Sequence, residues 1–438
     1  MELVRLAKNT LKKSSVAHKW RMRKDYRDVG DRPGDEGIWS KDLEPHAFGE
    51  YSFAAIRANE PMEDHSQVDV GVRATFVGVY DGHHGDATAV HIRESLLGHL
   101  VREYLFYDLY VIDLLGQLDL SLTVLYVVAK WSKVAKWVVG LNNGSKRVMV
   151  KYRSIGWVGS GHIQQQRSVS QLMLEDAFDD TEKAWVDFVE AEHVRTPDVT
   201  KIGSCCLVGL LWDGMLYVGN VGDSRAVIGQ AVGKGNKVVA RQVTQDHNVN
   251  LDEAREEVKH SNRHDPGIVV KVNGIWRVKG VIQVSRSIGD LYLKMPKFVD
   301  LGITGPLREP ALSNAPFLKT KDLQSDDKFV VFASDGLWEN ISNQEAVEIV
   351  NKHPRAGIAK TLVRLAMKEA AIKKGLKYDD LPRYQPGARR DIHDDITVVV
   401  IFFDNETRAN LNEVSVKGLE NMATPSELRW LQGQIITG

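Results

Sequence analysis

An α+β fold built on antiparallel sheets is what the 438 residues predict, and three observations carry it. Short apolar runs of strand length come in pairs joined by tight-turn dipeptides. The long helical patterns fall in separate blocks, which argues against a doubly wound parallel sheet. Hydrophobic residues make up 43% and charged residues 26%, enough apolar content for a large core and too much for a wholly disordered chain.

The elements follow in chain order. Met1 to Lys24 is basic, with Glu2 its only acid, and reads as a solvated tail or, alternatively, a transit peptide. Asp25 to Pro45 mixes charge with Gly and Pro and reads as a linker. Residues 1–47 are therefore expected to form a tail and linker, with order beginning near Phe48. Ser52 to Arg57 and Thr75 to Tyr80 are strands, and a helix begins near Ala87. Leu172 to Val189 repeats apolar residues at Leu174, Ala177, Phe178, Thr181, Trp185 and Phe188, a helix with one buried stripe. Cys205 to Trp212 and Met215 to Val221 form a hairpin turning at Asp213-Gly214, and Val269 to Lys279 forms another at Asn273-Gly274. Phe329 to Ala333 is a buried strand. A helix opens at Ser342, with Glu345 completing a capping box. Gly357 to Lys374 is a further helix ended by Gly375. Ile396 to Phe403 is the last buried strand, and 405–438 is a C-terminal tail.

Tyr104 to Gln166 breaks the pattern. Its first part is dense in Leu, Val, Tyr and Trp, but Asp108, Asp113 and Asp119 interrupt it. Within that first part, Tyr104 to Gly140, the longest uncharged stretch is Leu120 to Ala129, too short for a membrane span, which needs about 20 residues. It reads as an insertion at about 104–166 between two core helices, dispensable for activity, or as an amphipathic partner-binding segment.

Charge and cysteine usage exclude several classes. Lys+Arg is 57 and Asp+Glu is 58, a net charge of -1 that makes no case for a nucleic-acid binder. The two cysteines, Cys205 and Cys206, are adjacent and cannot staple a secreted fold. No secretory signal is visible, so an intracellular protein of the cytoplasm or nucleus is expected.

Four acidic clusters sit at strand ends or in tight turns: Glu63-Asp64, Asp81-Gly82, Asp335-Gly336 and Asp394-Asp395. Singly, each is an ordinary turn. Together, several carboxylates without Cys and with few His describe a hard-cation site for Mg2+ or Mn2+. Two such ions about 3.5–4 Å apart recur in phosphoryl chemistry.

The chain resembles the metal-dependent protein phosphatase family, the protein phosphatase 2C type. The motifs are MEDHSQVD (62–69), FVGVYDGHHG (76–85), GSCCLVGLL (203–211), LYVGNVGDSRAVIG (216–229), VIQVSRSIGD (281–290), FVVFASDGLWENISNQEAVEIV (329–350) and HDDITVVVIFFD (393–404). They stand in family order over roughly 48–103 and 167–404, inside a phosphatase domain spanning 48–404. GSCCLVG, GIWRVKGVIQVSRSIGDLYLK and HDDITVVVIFFD look most like the plant clade D branch.

The resemblance implies a sandwich of two antiparallel β-sheets flanked by α-helices, with a dinuclear metal site at one end. It implies hydrolysis of phosphoserine and phosphothreonine by in-line attack of a metal-bridging water. Mn2+ or Mg2+ would be the cofactor, two ions and a weaker third. Asp81 would bridge both ions, the Gly82 carbonyl would bind one, and Asp335 and Asp394 would complete the shells. Glu63 and Asp64 would hold metal-bound waters, and Asp223 with Asp335 would form the third position, near Glu339. His83 aligns with the proposed general acid, while Cys205 and Cys206 are core residues.

Two positions depart from the pattern. Asn59 stands where the usual phosphate-binding Arg would be. Arg57, two residues earlier on the same strand face, is the candidate to grip the phosphate instead. His84 occupies a position where relatives carry Gly or Ala, so a positive φ is not required there. Phosphoproteins are the expected substrates, regulatory proteins are compatible partners, and a monomer without nucleic acid or membrane span is expected. The alternatives are a phosphatase-fold binding module with little turnover and a metal nuclease, which would need a basic track that the matched region lacks.

Overall fold

The computed structural model describes residues 33–71, 74–114, 169–233, 235–404, 414–417 and 420–424. The strands are β1 (Trp39–His46), β2 (Gly49–Ile56), β3 (Asp64–Val70), β4 (Ala74–His83), β5 (Gly203–Ser204), β6 (Cys206–Trp212), β7 (Met215–Val221), β8 (Arg225–Ala231), β9 (Val238–Gln242), β10 (Val269–Val272), β11 (Ile275–Val278), β12 (Ile288–Gly289), β13 (Phe317–Asp322), β14 (Asp327–Ala333), β15 (Ile396–Phe403), β16 (Val414–Lys417) and β17 (Glu420–Thr424). The helices are α1 (Ala87–Leu114), α2 (Gln171–Glu192), α3 (Asp252–Ser261), α4 (Asp335–Trp338), α5 (Asn343–Lys352) and α6 (Ile358–Lys373).

Two antiparallel sheets make the sandwich. One runs β1-β2-β15-β14-β8-β9, the other β13-β7-β6-β4-β3-β16-β17, with β5 and β12 at its margin. Between them Phe53, Phe332, Val399 and Ile401 of the first sheet meet Val77, Val79, Leu207 and Leu211 of the second. The outer face of the first sheet packs on α5 and α6 through Val347, Leu362, Val363 and Met367. That of the second packs on α1 and α2 through Ile92, Leu96, Leu174 and Phe178.

This layering explains the unbroken apolar runs. Along β14, Phe329, Val331 and Ala333 face the helices, and Val330 and Phe332 face the other sheet. Both faces are covered, so no alternation with polar residues is required. Each fully buried large side chain contributes roughly 1.5–3 kcal/mol. Gly209 on β6 leaves the space that the Phe332 ring fills.

Local signals behave as read. Asp213 (φ 46) and Gly214 (φ 78) are both left-handed, as are Asn273 (φ 50) and Gly274 (φ 86), the geometry of two-residue hairpin turns. The Ser342 side chain accepts from the Glu345 amide and Glu345 reaches back, closing the box at the start of α5.

Four expectations need correction. Order begins before Phe48: β1 pairs with β2, and Asp35 is buried against Arg364 and the Tyr378 hydroxyl, 2.6 Å away. Pro45 is accommodated because β1 is an edge strand. The C-terminal stretch is more than a tail, because β16 pairs with β3 and Val416 joins the inter-sheet core. The compositional break at Tyr104 is not a structural one: α1 continues to Leu114, and Tyr104 is 5% exposed with its ring 5.9 Å from that of Trp212. Most of the expected insertion, 115–166, lies outside the described residues. Phe188 leaves the buried stripe of α2; it is 46% exposed and stacks on Trp185, and Val189 is buried in its place.

Candidate metal centre and active site

The acidic clusters meet at one end of the sandwich because four strand ends meet there. Asp64 and Asp81 are register partners on β3 and β4 of one sheet. Asp335 follows β14 and Asp394 precedes β15, neighbours in the other. The Ser334 hydroxyl donates to Asp64 Oδ2 at 2.7 Å, tying the two sheets together.

Asp395 aligns the parts. Its Oδ1 accepts the amides of Ala58 (2.6 Å) and Asn59 (2.9 Å), and its Oδ2 those of Glu63 (2.7 Å) and Asp64 (3.3 Å). Its neighbour Asp394 faces the cluster, with Asn59 Nδ2 3.4 Å from Oδ1 and Arg390 Nη1 2.5 Å from Oδ2. Two glycines permit the crowding. A Cβ on Gly82 would lie 2.6 Å from the Glu63 carbonyl, and one on Gly336 would strike the Asp395 carbonyl.

The electrostatics are those of a site short of positive charge. Burial raises the Asp81 pKa far above the carboxylate range, and Asp335, Asp64, Asp394 and Asp223 add to it. Asp335 is raised by burial, then by Asp223, Asp394, Glu339 and Asp64. Asp64 is raised by burial and by Asp395. Burial pushes Asp394 up to about 6 against the pull of Arg390. Oδ1 of Asp335 is buried with no hydrogen-bond partner. An all-oxygen donor set, crowded and incompletely hydrogen-bonded, fits hard divalent cations.

Asp223 stands at the turn between β7 and β8. It accepts from Asn248 Nδ2 at 2.7 Å and from Cys205 Sγ at 3.3 Å. One potential ligand atom from each of Asp81, Cys205 and Asp223 falls within a 4.8 Å cluster. The thiol is a buried neighbour rather than a nucleophile, because burial, then Asp223 and Asp81, drive its pKa far up. Cys206 is buried in the outer core of its sheet, and neither cysteine is disulfide-bonded. Glu63 Oε1 accepts the Gly85 amide at 2.6 Å and so braces the loop after β4.

His83, the last residue of β4, faces Asp290. Its Nε2 lies 3.0 and 2.8 Å from the two Asp290 oxygens. Ser287 donates to Asp290 Oδ2 at 2.6 Å, and Gly203 leaves room for the pair. Burial lowers the His83 pKa, but the Asp290 charge and hydrogen bond outweigh it, and the ring ends above its ordinary value. His84, exposed beside it, is at φ 58, so the left-handed conformation is adopted although the residue type does not require it.

The sequence reading and the site differ at the cation. Arg57 Nη1 pairs with Glu60 at 3.1 Å, on a side chain 41% exposed, not with the carboxylates. Arg390, Asp290 and Asp395 had no assigned role. Asp290 ended a quoted motif, and Arg390 stood four residues before Asp394. Only the fold shows what each faces.

Known proteins resemble the chain in sequence and in fold. A family model described as protein phosphatase 2C matches residues 142–375, between Asp81 and Asp394. A probable protein phosphatase 2C 43 of Oryza sativa subsp. japonica is 40% identical over 424 residues, covering 94% of each chain. A probable protein phosphatase 2C 68 of Arabidopsis thaliana is 42% identical over 408 residues, covering 90% of this chain and 88% of its own. In fold, the chain is similar to a serine-threonine phosphatase 2C from Toxoplasma gondii, with TM-score 0.52 at 17% identity, covering 84% of this chain and 99% of the other.

Proposed function

The chain belongs to the protein phosphatase 2C family and is a metal-dependent protein serine/threonine phosphatase, and we propose that Asp81, Asp335 and Asp394 hold two divalent cations, Mn2+ or Mg2+, for that reaction. The observation that carries the assignment is the convergence of these three carboxylates, one with an unpartnered buried oxygen, from two sheets onto one end of the sandwich. The Gly82 carbonyl adds a ligand where the absence of a Cβ allows close approach. Asp223 with Asp335 makes a weaker third position, and Glu63 and Asp64 support the outer shell.

When bound, the cations would lower the pKa of a water and offset the charge of the phosphoryl group. The residues of the chain do the rest. His83 supplies the proton that the departing serine or threonine oxygen needs. Asp290 engages Nε2, which fixes the ring and leaves Nδ1 to carry that proton. The P–O bond to the side chain breaks, one water is consumed, and inorganic phosphate and a free hydroxyl result. Phosphoproteins are the substrate class.

Replacing Asp335 or Asp394 by Asn tests the ligand set. Each substitution lowers turnover of a phosphopeptide by at least two orders of magnitude while leaving the circular dichroism spectrum unchanged, because one charged ligand is lost. Near-normal rates at saturating Mn2+ would mean that these residues are not the ligands.

A further inference from the structure

A phosphate monoester is an anion, and this site is lined by carboxylates. Cations would offset part of the repulsion, and a cationic side chain within reach of the phosphate oxygens would add charge and fix their orientation. Among the described residues, one cationic side chain is ion-paired to a carboxylate of the proposed pair of ion sites: Arg390, with Nη1 2.5 Å from Asp394 Oδ2. The other nearby cations are committed elsewhere. Arg57 is taken by Glu60. Arg389 is buried and turned to the carbonyls of Tyr384 (2.8 Å) and Glu36 (3.4 Å). Arg225 is held by Asp246 and Asn343. Lys373 Nζ donates to the Glu339 carbonyl and to Asn340.

Arg390 has the remaining attributes of a phosphate grip. It lies in the short 3-10 turn Ala388–Asp391, pinned by its amide to the Gly387 carbonyl at 3.3 Å. Its side chain is 53% exposed while pairing with Asp394, so it borders both solvent and the acidic cluster. A guanidinium carries five N–H donors in a planar fork, and Asp394 engages only one end of it. The rest match phosphate oxygens, as a bidentate pair does.

We propose that Arg390 binds the substrate phosphate, a contact that Asn59, without charge, and Arg57, paired with Glu60, do not supply. This rests on the phosphatase reading above. Asp394 then has two functions: it is a proposed cation ligand, and its Oδ2 sets the angle of the guanidinium.

The test uses the full chain loaded with Mn2+ and the variants Arg390→Ala, Arg390→Lys and Arg57→Ala. Three quantities are measured: calorimetric binding of inorganic phosphate, KM and kcat for a phosphopeptide, and the Mn2+ isotherm. Melting temperature verifies folding. Arg390→Ala is expected to weaken phosphate binding and to raise KM at least tenfold, with a smaller fall in kcat and Mn2+ binding within twofold. Lys restores part of the binding, as a point charge without the fork. Arg57→Ala is the rival arm: a loss there equal to or greater than that in Arg390→Ala overturns the proposal. So does unchanged phosphate binding in Arg390→Ala, or an effect confined to the Mn2+ isotherm, which would make Arg390 a counter-ion of Asp394 only. A wild-type protein that binds phosphate without turnover would refute the phosphatase reading and still leave phosphate binding to decide on Arg390.

Discussion

Two adjacent aspartates do opposite things at this site. Asp395 spends both oxygens on four backbone amides and has no lone pair to spare for a cation. Asp394 has its pKa raised to about 6 by burial and faces the cluster. The pair was legible as an acidic motif, but the bracing of residues 58–64 by Asp395 is visible only once the chain folds back. His83 is the same case. The histidine was readable from its Asp-Gly context, whereas its partner Asp290 lies 207 residues away. We predict that Asp290→Asn lowers kcat for a phosphopeptide at least tenfold with KM changed less than threefold, because the ring loses its anchoring charge while the phosphate contacts stay. A proportionate change in KM instead would place Asp290 in substrate binding. Thiol alkylation of the native protein is expected to leave activity intact. Cys205 is 2% exposed and its pKa is driven up by burial, so it offers no thiolate. Stoichiometric loss of activity without unfolding would contradict this.

At the level of elements, the regular ones were readable and the edges were not. β14 and β15 announce themselves because both faces are buried. The α5 capping box is a local signal with a local cause. β1 was missed because an edge strand tolerates Pro45 and a bulge between Lys41 and Glu44, which read as linker composition. Tyr104 was assigned to the insertion because the composition changes there, but the helix does not stop at a change of composition. Its ring packs on Trp212 across to the second sheet. We predict that Tyr104→Ala costs about 3 kcal/mol of stability by the cavity it leaves, read as a lower denaturation midpoint at an unchanged m-value. A deletion beginning at Tyr104 carries the same penalty. A midpoint equal to that of the unaltered protein would return Tyr104 to the insertion.

The whole molecule is two sheets that each carry half of the proposed metal site. Asp64 and Asp81 come from one sheet and Asp335 and Asp394 from the other, and the core between the sheets holds the two pairs in register. No helix among the described residues is long and apolar enough to cross a membrane. The central claim is that the acidic end of the sandwich works only with divalent cations and turns over phosphorylated serine or threonine. Its most direct measurement is hydrolysis of a phosphoserine or phosphothreonine peptide by the purified full chain, with Mn2+, with Mg2+, and with excess chelator. Release of phosphate with either ion, abolished by chelator and recovered on adding the ion back, is the expected result. Full activity in excess chelator would contradict the metal mechanism, and no turnover with either ion would make the chain a binding module on a phosphatase fold.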